Sequence, residues 1–181
     1  MNPGVILKGC CQCGAIEYEI DAKPLFTSVC HCLECQKLSG GANSVTSFFR
    51  AQAFKLLKGE LSKFVRKADS GRTVENYFCP GCGNRIYHFS PESPEMIRLK
   101  PGTLGDKSLT KPLFHVWASS RVPWDKIPLG APRFAKQVND RSAIIRRIVL
   151  HKLAYYLLSL SALFISCTGI YHLYVFLKKS L

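Results

Sequence analysis

The sequence predicts a mainly β fold, and three observations lead to this prediction. Segments in which apolar and polar residues alternate, or in which β-branched and aromatic residues dominate, recur along residues 1–135. Glycine and proline residues separate these segments, as is typical where strands end in turns. Most of the cysteines stand one or two residues apart, a spacing that is typical of metal sites.

Five segments have the pattern or the composition of short strands. Residues 15–20, Ala-Ile-Glu-Tyr-Glu-Ile, alternate with period two and predict a half-buried strand. The other four are rich in residues that favour strands; they are 44–49, 74–78, 96–99 and 113–117. One short helix is predicted from about His31 to Leu38, within and after the second group of cysteines.

Seven of the nine cysteines fall into three groups. The groups are Cys11 with Cys13, then Cys30, Cys32 and Cys35, and last Cys79 with Cys82. Four thiolates close a tetrahedral zinc site, whereas three leave one position for water or substrate. We therefore predict two zinc ions, a closed one on Cys11, Cys13, Cys79 and Cys82 and an open one on Cys30, Cys32 and Cys35. The pairing of the first and third groups is an inference, because their spacing alone does not fix it.

Several alternatives to this interpretation stay open at this point. The cysteines could form disulfides, but the first residues lack the apolar stretch of a signal peptide, so we expect free thiols. A histidine or carboxylate from elsewhere could complete the three-cysteine set as a second structural site. His31 stands between two of the cysteines, where a ligand would strain the chelate ring, so we expect it to face away and to orient or support the site. Cys10 could replace Cys11, although we interpret it as a spare buried thiol.

The net charge of +13 raises the question of nucleic-acid binding. Residues 1–135 hold 18 Lys and Arg against 11 Asp and Glu, and these basic residues are scattered rather than arranged in a stripe. Zinc-bound thiolates would lower the net charge of this region further. The distribution therefore does not favour a nucleic-acid partner.

The C-terminal region differs in composition. Residues 136–152 are polar and basic and are interpreted as a linker. Residues 153–177 contain no Asp, Glu, Lys or Arg and would form a hydrophobic helix of about 37 Å, long enough to span a membrane. Cys167 would pack inside it. Flanking Lys and Arg residues would place the N-terminal domain in the cytosol. The alternative is a helix that packs on the domain or in an oligomer interface, and the sequence leaves the oligomeric state open.

Five motifs in this chain, taken together and in order, resemble those of one enzyme family. They are Gly9–Gly14, Cys30–Gly40, Ser70-Gly71 with Phe78–Gly83, Arg98–Leu104 and His115–Trp124. The chain resembles the glutathione-dependent formaldehyde-activating enzyme family, which includes the centromere protein V group, over roughly residues 5–135.

The resemblance implies an Mss4-like zinc-binding fold of coiled antiparallel sheets. It implies a structural zinc on Cys11, Cys13, Cys79 and Cys82, and a catalytic zinc on Cys30, Cys32 and Cys35. The implied activity is a carbon–sulfur lyase reaction run in reverse, the synthesis of S-(hydroxymethyl)glutathione from glutathione and formaldehyde. The hydrophobic C-terminal segment is not part of the usual family pattern.

Three classes of function remain open from the sequence. The first is a zinc-dependent carbon–sulfur lyase that acts on a small thiol such as glutathione. The second is a zinc-stabilised binding module without turnover, and the third is a zinc store or redox sensor. Cationic partners for the carboxylates of glutathione could be Arg98, Arg121 or Lys37, although we interpret each as ordinary surface charge. Trp117 and Trp124 are interpreted as core residues.

Overall fold

The computed structural model describes residues 5–68, 70–138, 142, 144–150 and 152–154. The chain divides into two compact units, of which the first holds the described residues up to Asp125 together with Arg133–Gln137. The second unit holds Lys126–Pro132 and the described residues from Val138 onwards, which include the helical residues 144–150 and 152–154. All ten strands among the described residues lie in the first unit, so the mainly β prediction is confirmed.

A sheet of three antiparallel strands is formed in the order β1–β2–β5. These strands are β1 (Ile6–Cys10), β2 (Glu17–Asp21) and β5 (Phe54–Lys58). Tyr18 and Ile20 of β2 are fully buried, whereas the glutamates that alternate with them are more exposed. This is the period-two pattern that predicted a strand here, because successive side chains of a strand point to opposite faces.

The second sheet has seven strands in the order β10–β3–β4–β9–β8–β7–β6. They are β3 (Phe26–Cys30), β4 (Ser44–Arg50), β6 (Ser62–Lys67), β7 (Thr73–Phe78), β8 (Arg85–Phe89), β9 (Met96–Leu99) and β10 (Phe114–Val116). Only β10 and β3 are parallel; the other pairs are antiparallel. One helix of this unit, α1 (Leu33–Ser39), follows β3 directly.

The hydrophobic core takes residues from both sheets. Tyr18 of the smaller sheet and Phe49 and Leu99 of the larger one are fully buried in it, and so is Cys79. The hydroxyl groups of Tyr18 and Thr103 are hydrogen-bonded at 2.6 Å, so the one buried polar group of this tyrosine has a partner. The core therefore extends to the start of the candidate site, because two of the predicted ligand cysteines belong to it.

The prediction of a membrane-spanning helix over residues 153–177 is wrong. No helix in the part of the chain that the structure describes is long and apolar enough to cross a membrane. Two predictions depended on this helix, a membrane as a partner and a membrane-anchored localisation. Both are wrong for the same reason. The cytosolic orientation rested on the same helix and loses its basis. Residues 155–181, with Cys167, lie outside the described residues.

Candidate metal centres and their surroundings

Four cysteine thiols meet where the two sheets approach each other. Cys11 and Cys13 follow β1 of the smaller sheet, and Cys79 and Cys82 follow β7 of the larger sheet. All four sulfur atoms lie within 4.8 Å of one another. The Sγ atoms of Cys11 and Cys13 are 3.5 Å apart, and those of Cys13 and Cys79 are 3.7 Å apart. We call this group the four-thiol cluster.

The backbone around the four-thiol cluster is shaped by glycines and by an N–H donor. Gly14 and Gly83 follow the two cysteine pairs and have φ of 73° and 69°, a left-handed conformation that glycine adopts without strain. The Ile16 N–H donates to the Cys11 sulfur at 3.2 Å. Burial alone would raise the pKa of Cys11, but this N–H and the three neighbouring thiols lower it to about 6.

The geometry of the four-thiol cluster fits a zinc ion. A tetrahedral site with Zn–S bonds of about 2.3 Å places its sulfur atoms about 3.8 Å apart. The measured separations of 3.5 and 3.7 Å are close to this value. An N–H donor to a ligand sulfur is also what a thiolate needs to carry its charge in a buried place. These residues could therefore hold a metal ion.

Three further thiols form a second group, the three-thiol cluster, at the end of β3. Cys30 is the last residue of β3, Cys32 caps the N-terminus of α1, and Cys35 lies in the first turn of that helix. Their sulfur atoms also lie within 4.8 Å of one another, and all three residues are half-buried. Among the described residues, no fourth histidine, cysteine or carboxylate joins the group.

One thiol of the three-thiol cluster is set up to ionise first. The thiols of Cys30 and Cys35 act as donors to Cys32 and lower its pKa to about 2, against the opposing effect of burial. The Cys35 N–H donates to the same sulfur at 3.4 Å, and the Arg66 guanidinium lowers the pKa further. The pKa of Cys30 is raised in return, because its proton is held between sulfur atoms. A set of thiols that yields protons in this way suits a cation such as Zn2+.

His31 does not join the three-thiol cluster, as predicted, and enters a buried polar network. Its Nε2 is hydrogen-bonded to Nδ1 of His115 at 2.9 Å, and its Nδ1 lies 3.0 Å from a carboxylate oxygen of Asp125. Asn43 donates to the same Asp125 oxygen at 3.0 Å. Gln36 of α1 donates to the carbonyls of His31 and Ser120. These bonds fix the backbone that carries Cys30 and Cys32.

Other residues singled out in the sequence take different places. Cys10 is exposed rather than buried, because β1 presents it to solvent while the next residue, Cys11, turns into the core. Trp124 is 73% exposed, so the prediction that it packs in the core is wrong, and Trp117 is half-buried with a φ of 57°. Lys37 is a surface cation paired with Glu34, as predicted.

The two arginines that were interpreted as surface charge behave otherwise. Arg121 donates to the backbone carbonyls of Val122, Pro123 and Asp125, so it stabilises its own loop. Arg98 is half-buried over the ring of Phe48, with 5.8 Å from its guanidinium carbon to the ring centre.

Sequence reasoning also missed residues that surround the three-thiol cluster. His115 and Asp125 come from segments far along the chain, and only the strand pairing of β10 with β3 brings His115 to His31. Arg85 lies on β8 and Lys100 directly after β9. Lys100 falls inside the Arg98–Leu104 motif but was not singled out, and no motif includes Arg85. A signal was present for Lys100, because it stands two residues after Arg98 and so shares its face of the sheet.

Comparison with known proteins finds a family whose sequence profile matches this chain. The sequence profile of the glutathione-dependent formaldehyde-activating enzyme family matches residues 6–120. No curated protein matches the chain. Three solved chains match, and one is the crystal structure of a Rhodobacter sphaeroides protein that was a structural genomics target. It is 22% identical, and the match covers 54% of this chain and 87% of that one with a TM-score of 0.44.

The family match spans both thiol clusters and the strands that carry them. It begins at β1, before Cys11, and ends at residue 120, after His115. It thus covers most of the first unit and well over half of the chain. The chain belongs to the glutathione-dependent formaldehyde-activating enzyme family.

Proposed function

We propose that this protein is a zinc-dependent enzyme that makes or breaks a carbon–sulfur bond in a small thiol–aldehyde adduct such as S-(hydroxymethyl)glutathione. The observation that carries the proposal is the three-thiol cluster, which lacks a fourth ligand among the described residues. Membership of a family named for glutathione and formaldehyde supports this choice of substrate class. The residues of about 1–135 would form the zinc-binding domain, with an Mss4-like arrangement of its sheets.

The two clusters would bind one zinc ion each, with different roles. Cys11, Cys13, Cys79 and Cys82 would hold a structural zinc, because four thiolates leave no position for a substrate. Cys30, Cys32 and Cys35 would hold a catalytic zinc. When bound there, this ion would supply a free coordination position at which a substrate thiol loses its proton.

The residues of the chain would position this site rather than react themselves. The Cys35 N–H supports the charge on the Cys32 sulfur, and the network of His31, His115 and Asp125 holds the segment in place. In the synthetic direction, a bond forms between the thiol sulfur and the aldehyde carbon, and the thiol proton ends on the aldehyde oxygen. Most of the acceleration would come from holding the two reactants together.

The proposal is tested by exchange NMR on a mixture of glutathione and formaldehyde, with the zinc-loaded full chain. We expect the protein to speed the exchange between free and adduct forms. Cys32→Ser should abolish this acceleration and lower the bound zinc from two ions to one. Cys10→Ser is the matched control, because Cys10 is exposed and outside both clusters, and it should change neither value.

The outcome also separates an enzyme from a binding module. Acceleration that persists in Cys32→Ser would contradict the catalytic role of the three-thiol cluster. No acceleration by the wild-type chain, with two zinc ions bound, would contradict the enzymatic proposal and favour the binding module instead. Far-UV circular dichroism of each variant shows whether a lost activity reflects a lost fold.

A further inference from the structure

One face of the seven-stranded sheet collects basic side chains next to the three-thiol cluster. Strand pairing places Arg98 of β9 opposite His88 of β8, and His88 opposite Asn76 of β7. Lys100 follows Arg98 by two residues and so lies on the same side. The Arg85 guanidinium donates to the side-chain amide oxygen (Oδ1) of Asn76 at 2.8 Å, which brings it to this face. We call the group of Arg66, Arg85, His88, Arg98 and Lys100 the cationic face.

The cationic face adjoins the three-thiol cluster. Lys100 donates to the hydroxyls of Ser44 and Thr46 at 2.9 Å, and Ser44 is paired with Cys30 in the sheet. Burial and the nearby Arg85 lower the pKa of Lys100 to about 8, whereas Cys35, Cys30 and Cys32 act to raise it. Arg66 is also near the cluster, since its charge helps to lower the pKa of Cys32.

Several polar atoms of the cationic face are buried without a hydrogen-bond partner. They are Nε of Arg66, Nε of Arg85, Nδ1 of His88 and Nη1 of Arg98. Among the described residues, none of these side chains or Lys100 forms an ion pair with a carboxylate. An unpaired buried polar group is unfavourable, so four on one face form an arrangement that an anion would complete.

The charge of the metal site does not satisfy these cations. Three thiolates and one Zn2+ carry a net charge of −1. Arg66, Arg85, Arg98 and Lys100 together carry more positive charge than that. Burial, first of all, and then the four cations around it hold the pKa of His88 well below its usual value. A neutral His88 can still donate one hydrogen bond, so the face keeps donors for an anionic ligand.

An open cleft gives a ligand access to this face. Its volume is about 410 Å3, and Arg85, Lys100 and Ser44 line it together with Leu38 of α1 and Asn84. Sites for small molecules commonly have volumes of about 300–1,000 Å3. The cleft can therefore admit a ligand of the size of a short peptide. Cys82 of the four-thiol cluster lines it, and its Ser44 is paired in the sheet with Cys30 of the three-thiol cluster.

We propose that the cationic face binds a carboxylate of the substrate, so that the protein selects thiols with an anionic, peptide-like body over small neutral thiols. Guanidinium groups pair with carboxylates through two parallel hydrogen bonds, which gives both affinity and orientation. Lys100 and Arg85 line the cleft and are the first contacts. Arg66 and Arg98 lie on the same face of the sheet, outside the lining of the cleft. The inference rests on the proposed function for the thiol, but recognition of the carboxylate does not require turnover.

The test is isothermal titration of the zinc-loaded full chain with S-methylglutathione and with its diethyl ester. Neither probe has a free thiol, so binding reports recognition of the peptide body alone. We expect the ester to bind at least about tenfold more weakly, because each charge-assisted hydrogen bond is worth about 1.5–3 kcal/mol. Affinity for S-methylglutathione should also fall as NaCl is raised.

Two variants locate the effect on the cationic face. Arg85→Gln and Lys100→Met should each weaken binding of S-methylglutathione about tenfold or more and leave the ester unchanged. Arg50→Gln is the matched control, because Arg50 is an exposed arginine at the end of β4, and it should bind both probes as the wild type does. Zinc content and circular dichroism confirm that each variant is folded.

The outcomes separate this inference from the proposed function. Equal affinity of the wild type for both probes would overturn the inference, whatever the NMR assay shows. Loss of affinity in Arg50→Gln as large as in Arg85→Gln would also overturn it, since the effect would then be one of net charge. Selective binding without any acceleration of adduct exchange would uphold the cationic face and contradict the lyase.

Discussion

The two thiol clusters differ in what surrounds them. The four-thiol cluster draws its ligands from two sheets, and Cys13 and Cys79 are 66 residues apart in sequence. Cys11 and Cys79 belong to the hydrophobic core. The three-thiol cluster is made by the six residues from Cys30 to Cys35, and polar and charged side chains surround it. The first group is therefore part of the hydrophobic packing, whereas the second is half-buried among polar and charged groups.

The largest expected difference between the clusters is in their effect on folding. Cys79→Ser should lower the free energy of unfolding by more than about 4 kcal/mol, because it removes both a core residue and a proposed metal ligand between the sheets. Cys35→Ser, the counterpart in the three-thiol cluster, should cost only about 1–2 kcal/mol. Urea unfolding followed by circular dichroism measures both values. Similar losses would show that the two clusters support the fold equally.

A second prediction concerns the packing between the sheets near the four-thiol cluster. A Cβ atom at Gly9 would collide with the Tyr18 ring and lie 2.8 Å from the Thr103 carbonyl oxygen. Gly9→Ala should therefore destabilise the protein by about 1–3 kcal/mol. Gly102→Ala is the control, since no atom lies within 4 Å of the Cβ it would add. A melting curve unchanged by Gly9→Ala would contradict the close packing of Gly9 against the Tyr18 ring and the Thr103 backbone.

A third prediction concerns the hydrogen-bond network beside the three-thiol cluster. Asp125→Asn weakens the network that holds His31 and the segment between Cys30 and Cys32. It should lower zinc affinity at this cluster about 10- to 100-fold, as changes in groups that orient metal ligands commonly do. Competition with a chromophoric chelator measures this affinity. Glu60→Gln, an exposed carboxylate in a turn, should leave it unchanged; equal losses in both variants would contradict a specific role of Asp125.

The smallest expected effect lies on the surface of α1, beside the same cluster. Lys37 and Glu34 form an exposed ion pair at 3.0 Å. Glu34→Gln should change the free energy of unfolding by less than about 0.5 kcal/mol, because solvent screens such pairs. Zinc affinity and binding of S-methylglutathione should stay as in the wild type. A marked loss of either would mean that the surface of α1, and not only the cationic face, meets the ligand.

The sequence predicted those elements whose pattern reflects a single local rule. β2 alternates, α1 has a capping cysteine and a C-terminal glycine, and β9 has the predicted bounds. β3 was missed because its three central residues are buried on both faces, so it does not alternate. β5 was missed for the opposite reason, since four of its five residues are exposed.

In the candidate site, too, local features could be predicted from the sequence and features that depend on distant contacts could not. Cysteine spacing is local, so the two groups of thiols could be predicted from the order of residues alone. The contact of His31 with His115 spans 84 residues, and the cationic face depends on the pairing of β8 with β9. Neither has a spacing that sequence reasoning could use. The C-terminal helix was predicted from apolar composition, which does not by itself fix where a segment lies.

The distance in sequence between the halves of the four-thiol cluster bears on how the protein is made. During synthesis, Cys30, Cys32 and Cys35 leave the ribosome together and can capture a metal ion as soon as α1 forms. Cys79 and Cys82 emerge after seven of the ten described strands, so the first half of the four-thiol cluster must wait for them. Domains fold once their distant contacts become available. Metal capture by the four-thiol cluster would thus mark the moment at which the two sheets join.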